Sequence, residues 1–148
     1  MPDYYLMALG LSIGVFVALW PISVAMRDVS IVDAWWGPGF LGATAVAWFM
    51  AGSQGSRTSL LLALVGVWAL RLGFVLLRRR IRHGAEDNRY VDMRRSWGES
   101  FWWKSFFIVF LLQGFLQWIV VFPAMAGVTA APSPVAVLGW IGAALAIF

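Results

Sequence analysis

SLLLALVGVWALRLGFVLL, residues 59–77, followed at once by RRRIR, residues 78–82, decides what kind of protein this is. The first part is 19 residues with a single charge, Arg71, and at about 1.5 Å per helical residue it spans roughly 28 Å, the thickness of a hydrocarbon core. The second part is a block of arginine of the sort left on the cytoplasmic side of a membrane. Working outward, four more apolar stretches appear, Tyr4 to Met26, Ala34 to Ala51, Phe101 to Met125 and Val135 to Phe148.

Composition agrees with a lipid solvent. Of the 148 residues 61% are hydrophobic and only 12% charged, against about a quarter charged in soluble domains. Ten Trp and fifteen Gly suit interfacial aromatic belts and close helix packing. The expected fold class is all-α, a polytopic transmembrane bundle of four full spans plus a truncated fifth. Val135 to Phe148 makes only about 21 Å of helix, which would leave its last carbonyls unpaired in hydrocarbon, so the chain is expected to be cut short.

The net charge of +4 does not indicate nucleic acid, because most of the eleven basic residues fall in or beside the single segment Arg78 to Ser100. That segment is expected to be a cytoplasmic loop resting on the lipid surface, with the amino terminus outside. No Cys excludes disulfides and thiolate chemistry, and one His argues against a protein-built metal site. His83, beside the arginine block, reads as a solvated loop residue. The first span is expected to remain as an anchor and not to be a cleavable signal, since Met1 to Asp3 lacks basic residues.

Several polar residues stand out against this apolar background. Asp33 lies at the threshold of the second span, where it is either a functional group or a carboxylate favoured by a helix start. Arg71, about 10 Å below the basic block, needs a partner or an anion, and Asp33 is at a compatible depth. Gln113 and Gln117 share a helix face, as interhelical glue or as the lining of a polar cleft. Between Arg78 and Ser100, Tyr90, Met93 or Arg94, and Trp97 share a face, as in a short interfacial helix, and Arg82 and Glu86 are spaced for an i,i+4 pair. Gly37, Gly39 and Gly42 match G-x-G-x-x-G literally but lack the strand and the aqueous βαβ unit of a dinucleotide site, so they are expected to loosen the entry of the second span. Gly10 and Gly14 form a G-x-x-x-G packing face.

Taken in order, Ser30-Ile31-Val32-Asp33 with Trp36-Gly37, then Trp68-Ala69-Leu70-Arg71-Leu72, then Glu86-Asp87-Asn88-Arg89-Tyr90 with Arg94, then Phe110-Leu111-Leu112-Gln113-Gly114 resemble a membrane family related to steroid 5-alpha-reductases. The resemblance runs from about Ser30 to Pro123. It implies a seven-span enzyme that uses NADPH to reduce a carbon–carbon double bond conjugated to a carbonyl, with a steroid or lipid-like substrate among the first four spans. In such reductases a carboxylate, a tyrosine and a glutamine surround the substrate carbonyl. The resemblance assigns these catalytic roles to Asp33, Tyr90 and Gln113, with Tyr90 replacing a third-span tyrosine whose position is near Trp68. It further implies Trp36, Trp68 and Gln117 as substrate-binding residues and Arg71, Arg89 and Arg94 as cofactor-binding ones. The family's carboxyl-terminal cofactor half is absent from this sequence, so the chain alone is not expected to bind NADPH well. A non-catalytic membrane scaffold that binds lipid or partner helices is the alternative.

Overall fold

The computed structural model describes residues 2–52, 55–131 and 133–147, the side chains of residues 83 and 147 excepted. The described residues form α1 (Asp3–Met26), the single-turn α2 (Ile31–Ala34), α3 (Trp36–Ala51), α4 (Ser56–His83), α5 (Asn88–Trp97), α6 (Phe101–Ser105), α7 (Leu112–Val128) and α8 (Val137–Ile147), and contain no strand. A 3₁₀ turn (Gly98–Ser100) joins α5 to α6, and a π-helical turn (Phe106–Leu111) joins α6 to α7.

The all-α expectation holds. Among the described residues, three helical stretches are long and apolar enough to cross a membrane: Asp3–Met26, Ser56–Arg82 and Asn88–Val128. The expected second span is shorter than predicted. Trp35 and the preceding turn of α2 take up its start, leaving α3 with 16 residues, or about 24 Å. Phe148, at the end of the expected fifth span, lies outside the described residues, as does the side chain of His83.

The segment expected as a basic loop is mostly helical. Helix α4 continues through Arg78 to His83 and stops where Gly84 adopts φ +61°, a left-handed conformation that glycine reaches without Cβ strain. Only four residues then separate α4 from α5. Asp87 caps α5, its carboxylate accepting from the Arg89 amide. A short helix is therefore present where an interfacial one is expected, with Tyr90 buried and Met93 and Trp97 packed on the same apolar cluster.

Helices α1, α3, α4 and α7 pack together, with α3 at the centre. Its glycines allow this. A Cβ on Gly37 would collide with the Ala69 carbonyl and lie 2.7 Å from the Gly73 amide nitrogen, so α3 and α4 touch backbone to backbone. The Gly37, Gly39 and Gly42 stripe thus tightens the second helix onto its neighbours instead of loosening its entry. The Gly10 and Gly14 face, by contrast, meets nothing within 4 Å. The expected close packing there does not occur among the described residues of this chain.

Two apolar clusters fill the interior. One lies towards the Tyr5 end, where the Tyr5 and Phe122 rings stack at 4.6 Å and the Trp118 indole donates to the Tyr5 carbonyl. The other, built from Phe16, Val29, Val32, Tyr90, Phe101, Val109 and Phe110, lies at the end where the basic residues gather.

Candidate functional site

Asp33 sits on α2, the single turn wedged between α1 and α3, and it is reached by side chains from α5. The Tyr90 hydroxyl donates to Asp33 Oδ1 at 3.0 Å, and the Arg89 guanidinium donates to Asp33 Oδ2 at 2.9 Å. Gln113, from α7, donates through Nε2 to the Tyr90 oxygen at 3.2 Å. The Trp36 indole in turn donates to Gln113 Oε1 at 2.8 Å. Five side chains from four helices thus form one hydrogen-bonded chain, running Arg89, Asp33, Tyr90, Gln113, Trp36.

Each member is positioned by local structure. The capped start of α5 sets Arg89 and Tyr90 beside α2, and the Tyr90 ring is embedded in the Phe16–Phe110 cluster. The π-helical turn just before Gln113 adds a residue to the turn and so re-aims everything after it by about 100°, a device that recurs at functional sites. Gln117, fully buried, donates through Nε2 to the Trp36 carbonyl at 3.2 Å, holding the backbone of the residue whose ring touches Gln113.

Burial pushes the Asp33 carboxyl above its ordinary value of 3.8, although the Tyr90 and Arg89 hydrogen bonds oppose the shift. Asp87 moves the other way, held down by hydrogen bonds from Arg89. A cleft of about 280 Å³ opens beside Asp33, lined among others by Ser30, Arg79, Arg80, Glu86, Asp87 and Arg89. Tyr90 and Gln113 lie outside that lining. Alongside them the rings of Trp36, Phe40 and Trp68 follow one another at 5.7 and 5.3 Å, and Trp68 opens onto the exposed face of α4.

The structure therefore brings together Asp33, Tyr90, Gln113, Trp36 and Arg89, sets Gln117 behind them, and leaves Trp68 at the end of the aromatic run. Arg71 is elsewhere. The expected Asp33–Arg71 pair is not formed, since Asp33 takes Arg89 and Tyr90 instead. Helix phase is the reason. Ala69 and Gly73 form the face of α4 that packs on α3, and Arg71, two residues from each and so about 200° around the helix, points outward beside exposed Leu70, Phe74 and Val75. Arg94 also turns from the cleft, paired with Glu86 at 2.9 Å and lying over the Phe101 ring at 4.1 Å. This overturns the expected Arg82–Glu86 pair as well, because the helix break at Gly84 destroys the i,i+4 geometry.

Residues 19–148 match the family described as "Protein of unknown function (DUF1295)". The chain belongs to the DUF1295 family. No curated protein and no solved structure matches it. The DUF1295 match takes in every residue of the hydrogen-bonded chain, so the site is part of the family's own region.

Three further residues of this DUF1295 member hold the elements around Asp33 in place, and for none of them does the sequence give the partner found here. Glu86 accepts from the Val29 amide at 2.8 Å as well as from Arg94, tying the α1–α2 turn to the start of α5. Ser30 accepts from the Asp87 amide at 2.7 Å. Asp28 pairs with Arg80 at 2.7 Å; burial raises its carboxyl, but the Arg80 and Ser30 hydrogen bonds outweigh that and hold it below the ordinary value. Ser30 and Glu86 stand in the motifs that carry the resemblance, and for Asp28 the signal is the density of carboxylates near Asp33 and Tyr90 in a chain with just seven acidic residues.

Proposed function

We propose that this chain is the substrate-binding membrane part of a reductase acting on a carbon–carbon double bond conjugated to a carbonyl, in a steroid or lipid-like molecule. The observation that carries the reading is the Tyr90 hydroxyl held between Asp33 and Gln113, beside an aromatic run that leads in from the exposed face of α4. Family membership supports it, since DUF1295 proteins relate to steroid 5-alpha-reductase-like proteins.

During such a reduction negative charge develops on the carbonyl oxygen. Preorganised donors in a poorly hydrated site stabilise that charge. Here the donors are the Tyr90 hydroxyl and the second N–H of the Gln113 amide. Tyr90 can turn its proton to a carbonyl only if Asp33 stops demanding it, and a protonated Asp33 instead donates to the Tyr90 oxygen. Burial moves the Asp33 carboxyl in that direction, against the hydrogen bonds from Tyr90 and Arg89. The flat apolar body of the substrate would lie along Trp36, Phe40 and Trp68.

The cofactor implied by the resemblance, NADPH, does not fit the residues described. Three arginines line the cleft, Arg79, Arg80 and Arg89, but Glu86 and Asp87 line it too, so that even with Asp33 protonated at most one net positive charge faces a polyphosphate. Arg80 is already taken by Asp28 and Arg89 by Asp33 and Asp87. Arg71 and Arg94 do not line the cleft. The side chains around Tyr90 account for carbonyl binding and for the proton, and for neither the hydride nor its carrier.

In this reading α3 also crosses the membrane, giving four full spans. The amino terminus is outside, and the ends of α4 and α5 face the cytoplasm. The support is charge: Arg27, Arg78 to Arg82, Arg89, Arg94, Arg95 and Lys104 gather at one end, opposite Asp3 and Arg57.

The alternative is a non-catalytic scaffold in which the Asp33–Trp36 chain merely ties helices together, favoured by the fact that each of its side chains already has a partner. Enone binding separates the two: the protein in lipid nanodiscs is titrated with a panel of steroid and fatty enones, with tryptophan fluorescence as the readout. The reductase reading expects saturable binding that weakens at least tenfold in Tyr90→Phe and Gln113→Ala. No binding of any enone, or binding in both variants equal to that of the parent chain, favours the scaffold.

A further inference from the structure

Between α1, α3 and α7 lies a second cavity, of about 100 Å³, walled by largely apolar side chains such as Leu11, Trp35 and Pro38, by the bare backbones of Gly39 and Gly42, and by Ser12 and Gln117. The last two are interior residues, Ser12 at 3% and Gln117 at 0% exposure. Neither Ser12 Oγ nor Gln117 Oε1 has a hydrogen-bond partner. Two orphaned polar atoms on one cavity, when nearly every other buried side-chain polar atom among the described residues is paired, indicate a missing guest.

The chemistry of the guest follows from the atoms. Gln117 Nε2 donates to the Trp36 carbonyl, which can only accept, and this fixes the amide with Oε1 as the unpaired group. An acceptor-only guest such as a ketone or ester carbonyl would leave Oε1 unpaired. A charged guest would have no counter-ion, since the cavity lining holds no ionisable residue. What remains is a neutral donor that can also accept from the Ser12 hydroxyl, and the O–H of water or of an alcohol is the smallest group that does both. At about 30 Å³ for each water, the volume suits about three waters or one small hydroxyl-bearing end. Gly39 makes the site possible, because a Cβ there would occupy the position of the Gln117 amide.

We infer that the Ser12–Gln117 cavity is an interior binding site for a neutral hydroxyl donor, supplied either by ordered water or by an alcohol group. The site touches the Asp33–Trp36 chain only through the Gln117 hydrogen bond to the Trp36 carbonyl, and it stands whether or not the protein is a reductase.

The test uses the whole chain, ¹⁵N-labelled at glutamine, in lipid nanodiscs. Water-selective nuclear Overhauser transfer to the Gln117 side-chain amide is measured with increasing isopropanol or acetone, two probes of equal heavy-atom count that differ in carrying a hydroxyl or a carbonyl. The expected result is a water cross-peak, assigned by its disappearance in Gln117→Leu and at least fivefold weaker in Ser12→Ala and in Gly42→Leu. A peak that resists isopropanol supports resident water. A peak that isopropanol displaces and acetone does not supports an alcohol group as the natural guest. The inference is overturned if Gln117 shows transfer from neither water nor isopropanol, or if acetone displaces the peak as readily as isopropanol.

Discussion

Tyr90 and Asp33 are 57 residues apart in sequence and 3.0 Å apart in space, hydroxyl to carboxylate. This contact joins α5 to α2 and is the centre of the polar chain that crosses four helices. Replacing Tyr90 by Phe keeps the ring and removes the donor, leaving Gln113 without its acceptor. The expected loss of stability is about 1–2 kcal/mol, read as a lower unfolding temperature in detergent. An unshifted midpoint would show that the contact contributes nothing.

Glu86 does more than its place in the sequence suggests. It accepts from Arg94 and from the Val29 amide while only 10% of its side chain is exposed. Glu86→Ala should cost about 3 kcal/mol, because it strands a guanidinium and a backbone N–H together. Arg82→Ala, which would cost about a few tenths of a kcal/mol only if the i,i+4 pair existed, should leave stability unchanged. Thermal denaturation of the two variants side by side distinguishes the arrangements.

Arg71 and Arg89 should respond oppositely to the same substitution. Arg71→Leu removes an outward-facing charge from an apolar helix and should leave stability equal or higher, since an arginine at mid-span costs about 2.5–3.5 kcal/mol to insert. Arg89→Leu takes away the charged partner of Asp33 and should destabilise. A marked loss on Arg71→Leu in lipid nanodiscs would mean that Arg71 has a partner after all.

Gly37 and Gly10 offer a comparison of crowded and open glycines. Gly37→Ala drives a methyl into the Ala69 carbonyl and should cost about 1–3 kcal/mol. Gly10→Ala meets open space and should gain up to about 1 kcal/mol of helix propensity. Equal effects of the two substitutions on the unfolding midpoint would contradict the backbone contact between α3 and α4.

Asp28 and Asp33 should shape the acid limb of stability in opposite senses. Asp28 titrates lower in the folded chain than in the unfolded one, so its pair with Arg80 contributes above about pH 4 and is lost as pH falls through the lowered value. Asp33 titrates higher when folded, so its contribution is present at low pH and is lost as pH rises through the raised value. Asp28→Asn should therefore flatten the acid limb of the unfolding midpoint, whereas Asp33→Asn should leave that limb and remove the decline on its upper side. A titration of midpoint against pH for both variants reads this directly.

Much of the site is legible in the chain alone. Asp33, Tyr90 and Gln113 stand out as polar groups in an apolar sequence, and they do meet. Partner choice is not legible. Depth along a helix suggests Arg71 for Asp33, but depth is one coordinate and the angle around the helix is another, and the contact of Gly37 with Ala69 and Gly73 sets that angle. The Arg82–Glu86 spacing likewise presumes an unbroken helix, which Gly84 ends.

By itself the sequence determined the helical class and the positions of the long apolar stretches, because these follow from runs of residues and from what each run costs to hydrate. Tertiary structure alone decided which arginine neutralises Asp33, which glycines bring helices into contact, and which two buried polar atoms are left facing a common void. Those outcomes depend on the rotation of each helix against its neighbours, and that rotation is fixed by steric contacts between residues far apart in the chain.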